Sequence, residues 1–189
     1  IAVMFMVDMS GSTKGWINKA EREALVLLCE SLETLGDRYA IYGFSGMTRK
    51  RCEVYRVKSF EEGYTEEVRG RISNIRPRDY TRMGVTIRHL SHLLNEVEAR
   101  TKLLITLSDG KPDDYDTYRG AYGIEDTRQA LIEANGAELV LHGHGHRAHY
   151  RELETRHGSV PVLAVPSASA AGLRGAEVAH YNRFAVART

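Results

Sequence analysis

The chain has 189 residues, 42% hydrophobic and 27% charged, with a formal net charge of +1, which is the profile of a globular chain of about one domain. The near-zero charge removes any bulk electrostatic case for nucleic-acid or membrane binding, and no apolar run approaches the roughly 20 residues that span a bilayer. Its two cysteines, Cys29 and Cys52, have neither metal-type spacing nor the makings of a disulfide framework, which points to a reducing cytoplasm.

The first strand is expected over residues 1–7, an unbroken apolar run. It begins with no initiator Met and no signal peptide, so the sequence reads as an excerpt or a trimmed chain. A helix follows over 16–35, where Ile17, Ala20, Ala24, Leu25, Leu27, Leu28, Leu32 and Leu35 recur at helical spacing and Gly36 stops the run. Strands at 39–45 and 51–58 are joined by Gly46-Met47-Thr48-Arg49, a hairpin that makes one edge strand antiparallel. Helices over 61–73 and 83–99, a strand over 102–108 and a helix over 124–135 come next. Short strands over 138–142 and 160–165 complete the order. Strands alternating with helices of this length predict an α/β fold. Its central sheet is Rossmann-like and mostly parallel, with helices on both faces and one antiparallel edge strand. Trp16 is read as a packing anchor, and His89 and His92 as members of a solvated helix face.

The first strand runs straight into Asp8-Met9-Ser10-Gly11-Ser12, which sets one carboxylate and two hydroxyls at its C-terminal end. In open parallel sheets that is where ligands sit. The strand 102–107 likewise leads into Ser108-Asp109-Gly110, placing a second carboxylate beside Asp8 if the two strands are neighbours. Between them, the loop around Thr81 opens the helix at 83 and offers another hydroxyl. Carboxylates and hydroxyls are hard oxygen donors, suited to Mg²⁺ or Mn²⁺. A cation would offset the cost of holding the two carboxylates together.

Asp8-x-Ser10-x-Ser12, then Thr81, then Asp109-Gly110 after an apolar strand, resembles a von Willebrand factor A domain with its metal-ion-dependent adhesion site. The resemblance implies Ser10, Ser12 and Thr81 as direct ligands of Mg²⁺ or Mn²⁺, with Asp8 and Asp109 direct or water-mediated. It also implies an open coordination position filled by an acidic side chain of a protein partner. The acidic stretch Asp109 to Asp116, with Tyr118-x-Gly120-x-Tyr122-Gly123, resembles the A domains of activator proteins serving Rubisco and nitric oxide reductase. Over residues 1–134 this implies a binding module, not an enzyme, that works beside a MoxR-class AAA-type ATPase and its client. Asp113, Asp114 and Asp116 are either a solvated connection or groups that repel or recruit partners.

Residue vocabulary changes within 127–137. The last Lys is Lys111, the last Asp is Asp126, and six of the eight His lie after residue 136, so two sequence sources look joined there. After the join, Leu139-Val140-Leu141 leads into His142-Gly143-His144-Gly145-His146. These imidazoles could take Zn²⁺, Mn²⁺ or Ni²⁺ as a second metal site. With the stretch 160–169, this resembles the C-terminal part of a calcineurin-like metallophosphoesterase over about 130–189. The sequence has no Asp-x-His and no Asn preceding a His, so the other motifs of a two-metal hydrolase are missing. The expectation is one hybrid α/β domain over 1–189, an A-domain part (1–134) joined to a phosphoesterase-like part (135–189). Its function is metal-dependent protein binding. The alternatives are a phosphoesterase using the His cluster, or an engineered or recombined chimera with no native role.

Overall fold

The computed structural model describes residues 1–108, 111–134, 138–142, 148–156 and 158–164. Two compact units divide the chain, one over 1–135 and one over 136–189.

In the first unit β1 (Ala2–Asp8) is buried along its whole length. It lies between β2 (Arg38–Gly46) and β4 (Lys102–Leu107), parallel to both, and β3 (Cys52–Lys58) adds an antiparallel strand outside β2. The sheet order is β3-β2-β1-β4. A strand covered on both faces should read as a continuous apolar run, and Ala2 to Val7 does. Val3, Phe5 and Val7 point to one face, where Leu25 and Cys29 of α1 (Trp16–Leu35) and Val68 and Ile72 of α2 (Glu66–Ser73) pack. Ala2, Met4 and Met6 point to the other, against Ile87, Leu90 and Leu94 of α3 (Met83–Asn95) and Ala130 of α4 (Ala121–Glu133). Period-2 alternation in one strand therefore feeds two separate cores. Each fully buried Leu, Ile or Phe contributes about 1.5–3 kcal/mol of apolar transfer. The expected mostly parallel sheet, with helices on both faces and an antiparallel edge, is what the chain forms.

Local chemistry sets the element ends. Gly36 closes α1 in the left-handed region (φ 70) and returns its N–H to Glu33 and Leu32. α2 starts at Glu66 instead of 61 because the Thr65 side chain caps it, accepting from the Val68 N–H. α3 stops at Asn95, short of the expected 99. α4 begins at Ala121, earlier than expected, with Gly120 at φ 52 turning the chain into it. His89 and His92 are exposed, as read from the helix pattern, but Trp16 is not a packing anchor: it is 77% exposed.

In the second unit β5 (Val140–His142) pairs parallel with β7 (Gly158–Ala164), which pairs antiparallel with β6 (His149–Thr155), in the order β5-β7-β6. Strand β6 was not expected from the sequence. Its residues are mostly exposed, so His149–Thr155 lacks the polar–apolar alternation that marks a half-buried strand.

Candidate functional site

The register of the central sheet builds the site. Val7 pairs with Leu107, so Asp8 and Ser108 emerge side by side at the C-terminal ends of adjacent parallel strands. Asp8 is fully buried. Its Oδ1 accepts the Ser10 N–H at 2.8 Å, and its Oδ2 accepts the Ser108 hydroxyl at 2.6 Å and the Thr81 hydroxyl at 3.4 Å. The Ser10 and Ser12 hydroxyls lie 2.8 Å apart. A short 3-10 turn over Gly11–Thr13 shapes this loop, and the buried Thr13 hydroxyl donates to the Ser10 carbonyl at 2.8 Å.

Thr81 reaches Asp8 because its loop is tied on several sides. The Arg78 N–H donates to the Met9 carbonyl, the Gly11 N–H to the Asp79 carbonyl, and the Asp79 N–H to the Ser45 hydroxyl. Tyr80 exchanges backbone hydrogen bonds with Gly46, and Thr81 does the same with Asp113, at 2.9 and 3.0 Å. Segments 9–12, 45–46, 78–81 and 113 thus converge on one carboxylate. Asp8, Ser10, Ser12 and Thr81 are brought together. Asp109 lies outside the described residues, as do His144 and His146, while His142 closes β5.

Sequence reasoning missed two features. Ser108 bonds Asp8 directly, and the apolar run ending in Ser108-Asp109-Gly110 carries that signal. The second is Arg82, the residue after Thr81. It is buried, its Nε donates to Asp114 Oδ2 at 2.7 Å, it also pairs with Asp116, and its guanidinium lies 4.3 Å from the centre of the Tyr118 ring. Asp114 is fully buried and also accepts the Thr48 and Tyr115 N–H groups at 2.9 and 2.6 Å. Burial alone would raise its carboxyl, but the Thr48 N–H, Arg82 and the Tyr115 N–H outweigh that and hold it below the usual carboxylate range. The acidic stretch is therefore not simply a solvated connection: Asp114 is closed off from any partner. Behind it, the Tyr118 hydroxyl donates to Asp126, and burial followed by that bond pushes its pKa up to about 12.

Among the described residues no three His, Cys, Asp or Glu side chains gather as a metal cluster, so a cation at Asp8 would rest on hydroxyls as much as on carboxylates. One buried carboxylate that accepts two hydroxyls, with two more hydroxyls paired on the adjoining loop, is a hard-oxygen donor set, which fits Mg²⁺ or Mn²⁺ better than soft thiophilic metals.

Residues 2–165 match the model of the von Willebrand factor type A domain. The chain belongs to that family. The match runs past the change in residue vocabulary at 127–137. Domains of this family are generally not enzymes. Relatives include the uncharacterized protein PA0525 of Pseudomonas aeruginosa, 44% identical over 146 residues, which are 74% of this chain and 24% of that protein. Protein NorD of Stutzerimonas stutzeri is 42% identical over 146 residues, again 74% of this chain and 24% of the relative. The chain thus spans about a quarter of the relatives it matches. Among solved structures, the PilB minor pilin of Streptococcus sanguinis aligns with 64% of this chain and 35% of its own at a TM-score of 0.50 and 21% identity. The mussel byssus proximal thread matrix protein 1 aligns with 70% of this chain and 35% of its own at 0.50 and 18% identity. Both likenesses concern the fold alone. Among the described residues no helix is long and apolar enough to cross a membrane.

Proposed function

We propose that Asp8, Ser10, Ser12 and Thr81, joined by Asp109, form a metal-ion-dependent adhesion site for Mg²⁺ or Mn²⁺, through which this A domain binds an acidic side chain of a protein partner. The observation that carries the reading is the Asp8 carboxylate, fully buried at the strand ends, which accepts the Thr81 and Ser108 hydroxyls and the Ser10 N–H, with the paired Ser10 and Ser12 hydroxyls on the loop that N–H anchors. A bound divalent cation supplies a Lewis-acidic position for an incoming carboxylate. The chain's own residues do the rest. Asp8 holds the Ser10 loop through that residue's N–H, the β1–β4 register fixes Ser108 beside it, and the Thr81–Asp113 backbone pair presents the Thr81 hydroxyl.

The reading assigns no catalytic step. The likeness to NorD supports a protein-interaction role within an activator-type protein; we extend the proposal to a cytoplasmic location and to a MoxR-class AAA-type ATPase and its client enzyme as partners. His142, His144 and His146 have no part in it.

Thermal unfolding with and without Mg²⁺ tests the proposal. A cation that binds only the folded chain raises Tm with concentration. The expected result is a rise for wild type and for His144→Ala, and none for Asp8→Ala. An equal rise in Asp8→Ala contradicts the reading. Mn²⁺-dependent hydrolysis of an aryl phosphate, lost in His146→Ala, would replace it with the phosphoesterase alternative.

A further inference from the structure

The loops around Asp8 carry a surplus of exposed cations, although the whole chain is almost neutral. The acids in these loops are engaged internally: Asp79 with Arg51, Asp113 with Arg119, and Asp114 and Asp116 with Arg82. Lys14, Arg49, Lys50 and Lys111 are exposed, and none forms an ion pair with a described residue. Lys14 follows Ser12 by two residues, Arg49 and Lys50 form the β2–β3 turn, and Lys111 opens the segment that leads to Asp113. The cations therefore sit on three separate loops, each tied by backbone hydrogen bonds to the 79–81 segment that carries Thr81.

The same rim exposes large side chains that a core would normally take up. Tyr115 (66%) and Met47 (41%) stand on two of those loops and Trp16 (77%) at the first residue of α1, just after the third, and the Tyr115 ring lies 6.4 Å from that of Tyr80, the neighbour of Thr81. Trp, Tyr, Met and Arg are the residues enriched at protein interfaces.

The rim is also held rigid. The Thr48 N–H donates to Asp114 and the Arg49 N–H to Asp116, while Met47 and Arg51 close the turn through their own backbone bonds. Thr48 (φ 66) and Thr117 (φ 73) both sit in the left-handed region, the two non-glycine residues among those described that do so. A β-branched residue there is strained, and such strain persists where the surroundings over-determine the backbone. Both lie in this rim and in touching loops.

We infer that the rim formed by Lys14, Trp16, the Met47–Lys50 turn, Lys111 and Tyr115 is a pre-organised docking surface for an acidic segment of a partner protein. This rests on the proposed function of the Asp8 site. One carboxylate of the segment enters that site, and further carboxylates lie against Arg49 and Lys50. The occupant is a protein segment and not a nucleic acid, because a sequence pI near 8.0 falls short of the strongly basic balance of nucleic-acid modules. Charges of this kind act through steering and salt-sensitive affinity.

The chain contains one Trp, so Trp16 reports directly on the rim. The probe is a synthetic 12-residue peptide of alternating Glu and Asp ending in Leu, titrated in Mg²⁺ while Trp16 emission is followed. Mg²⁺ affinity is measured separately by calorimetry. The expected result is a saturable blue shift, weakened by salt. Arg49→Glu with Lys50→Glu lowers peptide affinity by roughly tenfold or more, with Mg²⁺ affinity kept within about twofold because neither residue lies in the Asp8 cluster. Absence of peptide binding, affinity unmoved by the double reversal, or equal affinity for a 12-mer of deoxythymidine each overturns the inference. Peptide binding that depends on Arg49 and Lys50 without any Mg²⁺ binding upholds the surface and instead removes the metal-site reading.

Discussion

Replacing Arg82 by Leu should destabilise the first unit by about 3 kcal/mol, out of the roughly 5–15 kcal/mol that holds a domain folded. Arg82 and Asp114 are both buried and joined at 2.7 Å, so removing the guanidinium leaves a carboxylate in the interior without its cation. Breaking such a pair costs about 3–5 kcal/mol. The lower end applies because Asp114 keeps the Thr48 and Tyr115 N–H donors, each a charge-assisted bond. The cation–π contact with Tyr118 disappears as well and is contained in that total. Arg82→Lys keeps the charge but cannot bridge Asp114 and Asp116 with a planar fork, so it falls between wild type and Leu. Urea unfolding followed by circular dichroism measures the loss. Acid adds an independent reading. The Asp114 carboxyl titrates below its ordinary value when folded, so the pair's contribution is complete above about pH 4, the unfolded Asp range, and disappears as pH falls through the folded value. Wild type should therefore lose stability more steeply than Asp114→Asn below about pH 4. A loss under about 1 kcal/mol for Arg82→Leu, the scale of a surface pair, would refute the reasoning.

Three further outcomes follow from packing. Gly84→Ala should destabilise despite its gain of about 1 kcal/mol in helix propensity, because the added Cβ would stand 2.0 Å from Asp126 Oδ2 and 2.7 Å from its Cγ where α3 meets α4. Overpacking of this kind costs about 1–3 kcal/mol, and a Tm at or above wild type would contradict it. Leu25→Ala, at a fully buried position of α1, should cost about 2–5 kcal/mol in the same unfolding assay, and a loss below about 1 kcal/mol would count against the packing described. A thiol reagent at neutral pH should label Cys52, although desolvation raises its thiol too, and leave Cys29 unmodified until the chain unfolds. Cys52 is exposed, whereas burial pushes the Cys29 thiol up to about 11. Equal labelling of both would be evidence against the described α1 packing.

Much of the first unit was legible because its signals are local. The apolar run before Asp8 marks a doubly covered strand, the Leu25–Leu28–Leu32 stripe marks a helix face, and Gly36 marks its end. Donor types at the strand ends were legible for the same reason, since Asp8, Ser10 and Ser12 follow one another. What was not legible depends on contacts distant in sequence. Nothing near Arg82 announces Asp114, 32 residues away, so an acidic loop that reads as surface contains a buried anion. Trp16 misled for the opposite reason: its size argues for burial, but it sits at the first residue of α1, ahead of the buried positions Leu25 and Cys29, and is exposed. Strand β6 carried no signal because it buries almost nothing.

The most direct test of the account is a crystal structure of the chain soaked in Mn²⁺, with anomalous scattering to locate the ion. The account predicts a single peak bounded by Asp8, Ser10, Ser12 and Thr81, absent in Asp8→Ala crystals. A peak at His144 with none between Ser10 and Thr81 would contradict it.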